Sequence, residues 1–106
     1  MVAVAQVAQF RIIQGKNQEF NANVAEAKKI HERHGGRVRV WQATAAGPNT
    51  GLVSYVIEHD DLAAYASFAA KLAADSEWLA FAGKTLQSAN PTGALISATL
   101  ATEITP

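Results

Sequence analysis

No cysteine occurs in the 106 residues. That excludes disulfides, thiolate metal sites and cysteine nucleophiles. Charge is scarce too: 17% of the residues are charged, against roughly 25% in an average globular chain. Lysine plus arginine number 9 and aspartate plus glutamate number 9, so the formal net charge is zero. Nucleic-acid binders usually carry a basic excess, because neutralising phosphates supplies much of their affinity. None is present, and the one dense basic spot, Gly35-Gly36-Arg37 with Arg39, holds two arginines. A membrane-surface role lacks support for the same reason.

Long apolar runs are missing as well: none approaches the ~20 residues a membrane span needs. The opening, Met1 to Phe10, is apolar but has no basic leader, and Gln6 and Gln9 interrupt it. No small-residue cleavage site follows, so it reads as a strand, and the cytoplasm is the expected location. Gly47-Pro48-Asn49-Thr50-Gly51 lacks the lysine and following helix of a phosphate loop. No Gly-x-Ser-x-Gly elbow occurs. Carboxylates adjoin only at Asp60-Asp61, which helix capping explains.

Hydrophobic residues make up 49% of the chain, a normal share for one globular domain spanning residues 1–106. Val2 to Ile13 is β-branched and apolar and reads as a first strand. Lys16 to His34 follows, with Phe20, Val24, Ala27 and His31 on one helical stripe. Gly35-Gly36 suits its C-cap. Val38 to Ala43 and Leu52 to Glu58 read as a hairpin about the 47–51 turn, with Trp41 on the face opposite Val38 and Val40. Asp60-Asp61 marks the start of a helix over Leu62 to Ala74, and Asp75-Ser76 the start of another over Glu77 to Ser88. Asn90-Pro91-Thr92-Gly93 breaks it, and Ala94 to Ile104 is the last strand. The order β-α-β-β-α-(α)-β is the α+β, ferredoxin-like split βαβ pattern with an antiparallel sheet.

The strand faces are poorly divided into apolar and polar. The first strand puts Val2, Val4, Ala8, Phe10 and Ile12 opposite Ala3, Ala5, Val7 and Ile13. The last puts Ala94, Ile96, Ala98, Leu100 and Ile104 opposite Leu95, Ser97, Thr99 and Ala101. A sheet covered on one side should alternate cleanly. Both faces are therefore expected to be covered, one by the helices and the other by a second copy of the chain. Few charges also make a fully solvated surface hard to build.

Two segments resemble the dimeric α/β-barrel superfamily, and within it the NIPSNAP-type members. One is Phe10-Arg11-Ile12-Ile13-Gln14-Gly15-Lys16 with Glu19-Phe20; the other is Ser54 to Phe81, with Tyr65 and Ala74-Asp75-Ser76-Glu77-Trp78-Leu79-Ala80-Phe81. The resemblance implies two ferredoxin-like subunits placed sheet against sheet, with a ligand site between sheet and helices in each. That superfamily holds cofactor-free monooxygenases, haem-degrading and haem-binding enzymes, isomerases and proteins without known activity. The asparagine, tryptophan and histidine set of the haem-degrading relatives does not map onto Trp78 and the three histidines here.

His31, on the apolar helix stripe, is the candidate catalytic residue, as a general base or a ligand to metal or haem. The plain alternative is a packed histidine hydrogen-bonded to a carbonyl. His34 lies at the helix end, where a protonated ring meets the negative dipole. A metal pair with His31 lacks a third ligand at a fixed spacing, so no metal and no cofactor is expected. His59 reads as a turn residue able to pair with Asp60 or Asp61. Trp41 and Tyr55, on neighbouring strands, are candidates to hold a flat ligand, with plain core packing as the alternative. Trp78, with Phe81, pins the short helix and is a candidate to close one end of a pocket. Arg11 and Arg39 are charges on strands that otherwise look buried, able to bind a ligand oxygen or to form intersubunit salt bridges with Glu58 or Glu103. The expectation is a homodimer that binds a small, mostly apolar organic molecule, either as a cofactor-free monooxygenase- or isomerase-like enzyme or as an enzyme-like binder. The alternatives are a dimerisation or regulatory protein and, third, haem binding through His31 or His59.

Overall fold

The computed structural model describes residues 2–104. Eight elements follow in order: strand β1 (Val4–Ile12), helix α1 (Asn17–Arg33), strand β2 (Arg37–Gln42), a short 3-10 turn (Gly47–Asn49), strand β3 (Val53–His59), helices α2 (Leu62–Ala73) and α3 (Ser76–Lys84), and strand β4 (Gly93–Thr102). The strands form one antiparallel sheet in the order β2-β3-β1-β4. This is the ferredoxin-like α+β arrangement expected from the element order. No helix among the described residues is long and apolar enough to cross a membrane.

Local chemistry sets most boundaries. Gly35 takes φ +96°, and the Gly35 and Gly36 amides donate to the Glu32 and His31 carbonyls. This left-handed stop ends α1. Asp61 caps α2 by accepting from the Ala64 amide, and Asp75 caps α3 by accepting from Glu77 and Trp78. Helix α3 stops at Lys84, short of the expected Ser88. The Thr85 hydroxyl donates to the Phe81 carbonyl at 2.7 Å, and the Gln87 amide reaches back to Ala82. Those bonds turn the chain out of the helix. Strand β4 ends at Thr102 because its partner β1 begins at Val4, opposite it.

The helices lie over one face of the sheet. On β3, Val53, Tyr55, Ile57 and His59 are buried and alternate with less buried neighbours. Their partners on β1 are Phe10, Ala8, Gln6 and Val4. Ile30 of α1 and Phe68 of α2 are buried with Ile57, Val38 and Tyr55 in one cluster. The α1–β2 turn presses close to it: a Cβ on Gly36 would lie 2.6 Å from Ile57 Cγ2.

Strand β4 departs from simple alternation. Its register against β1 shifts between Gln9 and Phe10, so Gln9 faces Ser97, Phe10 faces Leu95, and Ile96 has no partner. Such a bulge reverses the parity of everything before it. Ala98 and Leu100 share the inner face with Leu95 and Gly93, not with Ala94 and Ile96 as plain alternation implies. A Cβ on Gly93 would meet the Phe20 ring at 2.7 Å.

Candidate functional site

A cavity of about 560 Å³ lies between the sheet and the helices. That falls within the roughly 300–1,000 Å³ of small-molecule sites. Its floor is the inner face of β1, β3 and β4. Its walls are the α1 stripe, α2, α3 and the turn after α3. The β4 side carries Leu95 and Leu100, both lining the cavity and both exposed.

Three expected site residues meet there. His31 continues the stripe of Phe20, Val24 and Ala27, which turns inward along α1. Tyr55 rises from the middle of β3, and Trp78 sits in the first turn of α3, held by the Asp75 cap. The His31 ring is 4% exposed and lies 4.6 Å from the Trp78 ring, 5.5 Å from Tyr55 and 5.7 Å from Phe68. Its Nδ1 is 2.6 Å from the Tyr55 hydroxyl. Burial, with help from the charges of His34 and His59, lowers the His31 pKa to about 4. Burial raises that of Tyr55, and Glu32 adds to the rise. At neutral pH the imidazole is uncharged and the phenol keeps its proton.

That bond fits two tautomers. Tyr55 donates to a bare Nδ1, which puts the ring proton on Nε2, or Nδ1–H donates to the Tyr55 oxygen, which leaves the phenol proton for the cavity. Nε2 bonds to no described residue, and no buried side-chain nitrogen or oxygen there lacks a partner. It is therefore accessible in the cavity. A histidine with so low a pKa is a weak base and a sound neutral hydrogen-bond donor.

Arg11, Arg39 and Trp41 lie elsewhere. Parity decides it: Trp41 pairs with Ser54 and Arg39 with Val56, whereas Tyr55 pairs with Val40. Tyr55 and Trp41 therefore occupy opposite faces despite sitting on neighbouring strands. Arg39 is exposed, stacks over Trp41 at 5.0 Å and approaches Glu58 of its own chain at 3.9 Å. Arg11 is exposed near the Pro48 carbonyl.

Of the other two histidines, His34 keeps its expected place at the helix end, and His59, expected in a turn, differs. His59 is a strand residue only 2% exposed, packed 4.7 Å from Phe68 and 5.4 Å from Tyr65. Its Nε2 bonds to Gln6 Oε1 at 2.9 Å and to neither aspartate. His34 turns from His31 to Asp75, at 2.6 Å, beside Arg33 at 2.7 Å. These two partners hold the Asp75 carboxyl well below the usual range.

Gln6 lines the cavity and was not singled out from the sequence. The available signal was its place on an inner face otherwise made of Val4, Ala8 and Phe10. No Asp, Glu, Lys or Arg lines the cavity among the described residues.

The model of the NIPSNAP family matches residues 5–91. A NIPSNAP domain protein from Burkholderia xenovorans is 21% identical, with a TM-score of 0.71 over 97% of this chain and 94% of its own. A NIPSNAP family protein from Agrobacterium tumefaciens is also 21% identical, with a TM-score of 0.71 over 96% of this chain and 91% of its own. A putative antibiotic biosynthesis monooxygenase from Bordetella bronchiseptica is 17% identical, with a TM-score of 0.59 over 100% of this chain and 99% of its own. No protein with curated function matches.

Proposed function

The chain belongs to the NIPSNAP family, and on that footing we propose that it binds a small, mostly apolar organic molecule between its sheet and its helices. The observation that carries this reading is the aromatic-walled cavity of about 560 Å³ beside His31. A protein whose whole role is dimerisation or regulation through its surface has no use for this space. Leaving it unfilled forfeits dispersion contacts that a packed interior would gain. The fold likeness to the Bordetella protein is compatible with a cofactor-free oxidative or isomerising reaction, with His31 as the polar group nearest the reacting atoms.

The second part of the proposal is a homodimer through the outer sheet face. Ala5, Val7 and Val56 lie there without a helix over them, and Gln9 ties β1 to β3 through Ser54 and to the edge strand β4 through Ser97. Native mass spectrometry before and after denaturation tests both parts. The expected result is a dimer mass that releases a small organic molecule on denaturation. A ligand-free monomer, together with no uptake from a panel of apolar aromatic compounds, would remove the proposal.

A further inference from the structure

The cavity is selective in its chemistry as well as its size. Resting on the binding role proposed above, we infer that its ligand is an uncharged molecule carrying a carbonyl oxygen, received by His31 Nε2–H and the Gln6 side-chain amide. Three independent features of the lining point there.

The first is charge. A carboxylate, phosphate or ammonium entering this space would lose its water and find no opposite charge, because no ionisable acid, lysine or arginine lines it among the described residues. Unpaired burial of an ion costs several kcal/mol. His31 cannot supply the missing positive charge at neutral pH, since burial and its neighbouring histidines keep it uncharged.

The second is the direction of the hydrogen bonds. We assign the 2.6 Å bond as Tyr55 donating into His31 Nδ1, the tautomer that leaves the Nε2 proton for the cavity. At the Gln6 side chain the acceptor oxygen is taken: His59 Nε2 donates to it at 2.9 Å. Its amide nitrogen bonds to no described residue, and it too is not among buried groups lacking a partner. In that tautomer both residues turn a free N–H donor to the cavity, each held by a residue behind it, and the Gln6 oxygen keeps one lone pair. Gln6 pairs with Ile57, two residues from Tyr55 on the same sheet face, so the floor carries Gln6 beside the tyrosine that holds His31, and both donors line the one cavity.

The third is the surroundings. His31 is hemmed by Trp78, Tyr55 and Phe68. A donor walled by aromatic rings penalises a ligand that leaves it unpaired. An oxygen with two lone pairs and no proton to place satisfies two donors.

Three matched probes test this: 2-acetylnaphthalene, its hydrocarbon isostere 2-isopropenylnaphthalene, and the anion 2-naphthoate. Binding is read from Trp78 fluorescence in a Trp41→Phe background. The ketone should bind at least about tenfold tighter than the hydrocarbon, equivalent to ~1.4 kcal/mol, and the anion weakest. His31→Phe and Gln6→Leu should each remove part of the ketone's advantage, and the double variant should bring the ketone down to the hydrocarbon's affinity. In the wild-type protein, which needs no refolding of a variant, the His31 Nε2 nitrogen resonance should show the protonated form and move with the ketone only. Equal affinity for ketone and hydrocarbon, tightest binding of the anion, or a ketone preference undiminished in the double variant would overturn the inference and leave the pocket standing. Failure of all three probes to bind would overturn the pocket itself.

Discussion

The interval between sheet and helices has two halves that differ in how they are filled. Over β2 and β3, Ile30, Val38, Ile57 and Phe68 close on one another, Ile30 is fully buried, and Ile57 and Phe68 turn one side to the cavity as its near wall. Even the Gly36 backbone lies too near Ile57 to admit a Cβ without movement. Over β1 and β4 the same kinds of residue, Phe10, Phe20, Leu95 and Leu100, surround open space, and the two leucines are exposed. Stability is concentrated in the filled half. The hollow half gives up contact energy, and what it gains is a lined surface. Cores are normally packed to crystal density, so the difference is informative about function.

The strongest challenge to that contrast is truncation. Phe68→Ala, in the filled half, should cost about 3–5 kcal/mol. Leu100→Ala, in the hollow half, should cost under ~1 kcal/mol, because its side chain is half exposed already. Urea unfolding of both variants gives the comparison. Equal losses would mean that the two halves carry stability alike.

A smaller effect comes from pH. His31 sits against both halves, and its pKa in the folded protein, about 4, lies below the ordinary 6.5. The unfolded chain therefore takes up more protons between those two values. Stability should be full above pH ~6.5, fall as the pH drops towards 4, and stop falling on this account below it. The expected loss is on the order of 3 kcal/mol. His59, also lowered by burial, acts in the same direction. Denaturant midpoints across this range should slope in the wild type and flatten in His31→Phe. A slope unchanged by that substitution would show that His31 is not held neutral.

The finest comparison uses two glycines. Gly36→Ala pushes a methyl against Ile57 Cγ2 at 2.6 Å, and Gly93→Ala pushes one against the Phe20 ring at 2.7 Å. The clashes are alike, but Ile57 is fixed in the filled half, whereas Phe20 can swing into the cavity. Gly36→Ala should cost ~1–3 kcal/mol and Gly93→Ala less than ~1 kcal/mol, with ligand uptake falling in the second. Thermal unfolding and probe binding on the same pair check both statements.

Much of the fold could be read from local residues. Gly35 ended α1, and Asp61 and Asp75 began α2 and α3 where their side chains could cap them. The stripe ending in His31 faced inward as its spacing required. Of the candidate site, His31, Tyr55 and Trp78 converge on the cavity, whereas Arg11, Arg39 and Trp41 lie on other surfaces. The tryptophan could have been separated from Tyr55 had the hairpin register been known. Without it, adjacent strands do not reveal which residues share a face.

The sequence by itself determined the order of elements, their stops and starts, and the inward helix stripe, because those depend on residues within one or two turns of each other. Tertiary structure alone decided three things. It placed the bulge at Ile96, which turns Leu95 and Gly93 inward. It joined His59 to Gln6 across 53 residues. It also left the β1–β4 half hollow. Each depends on how distant strands and helices register and how far apart they settle, and no local preference encodes a distance between segments that meet only on folding.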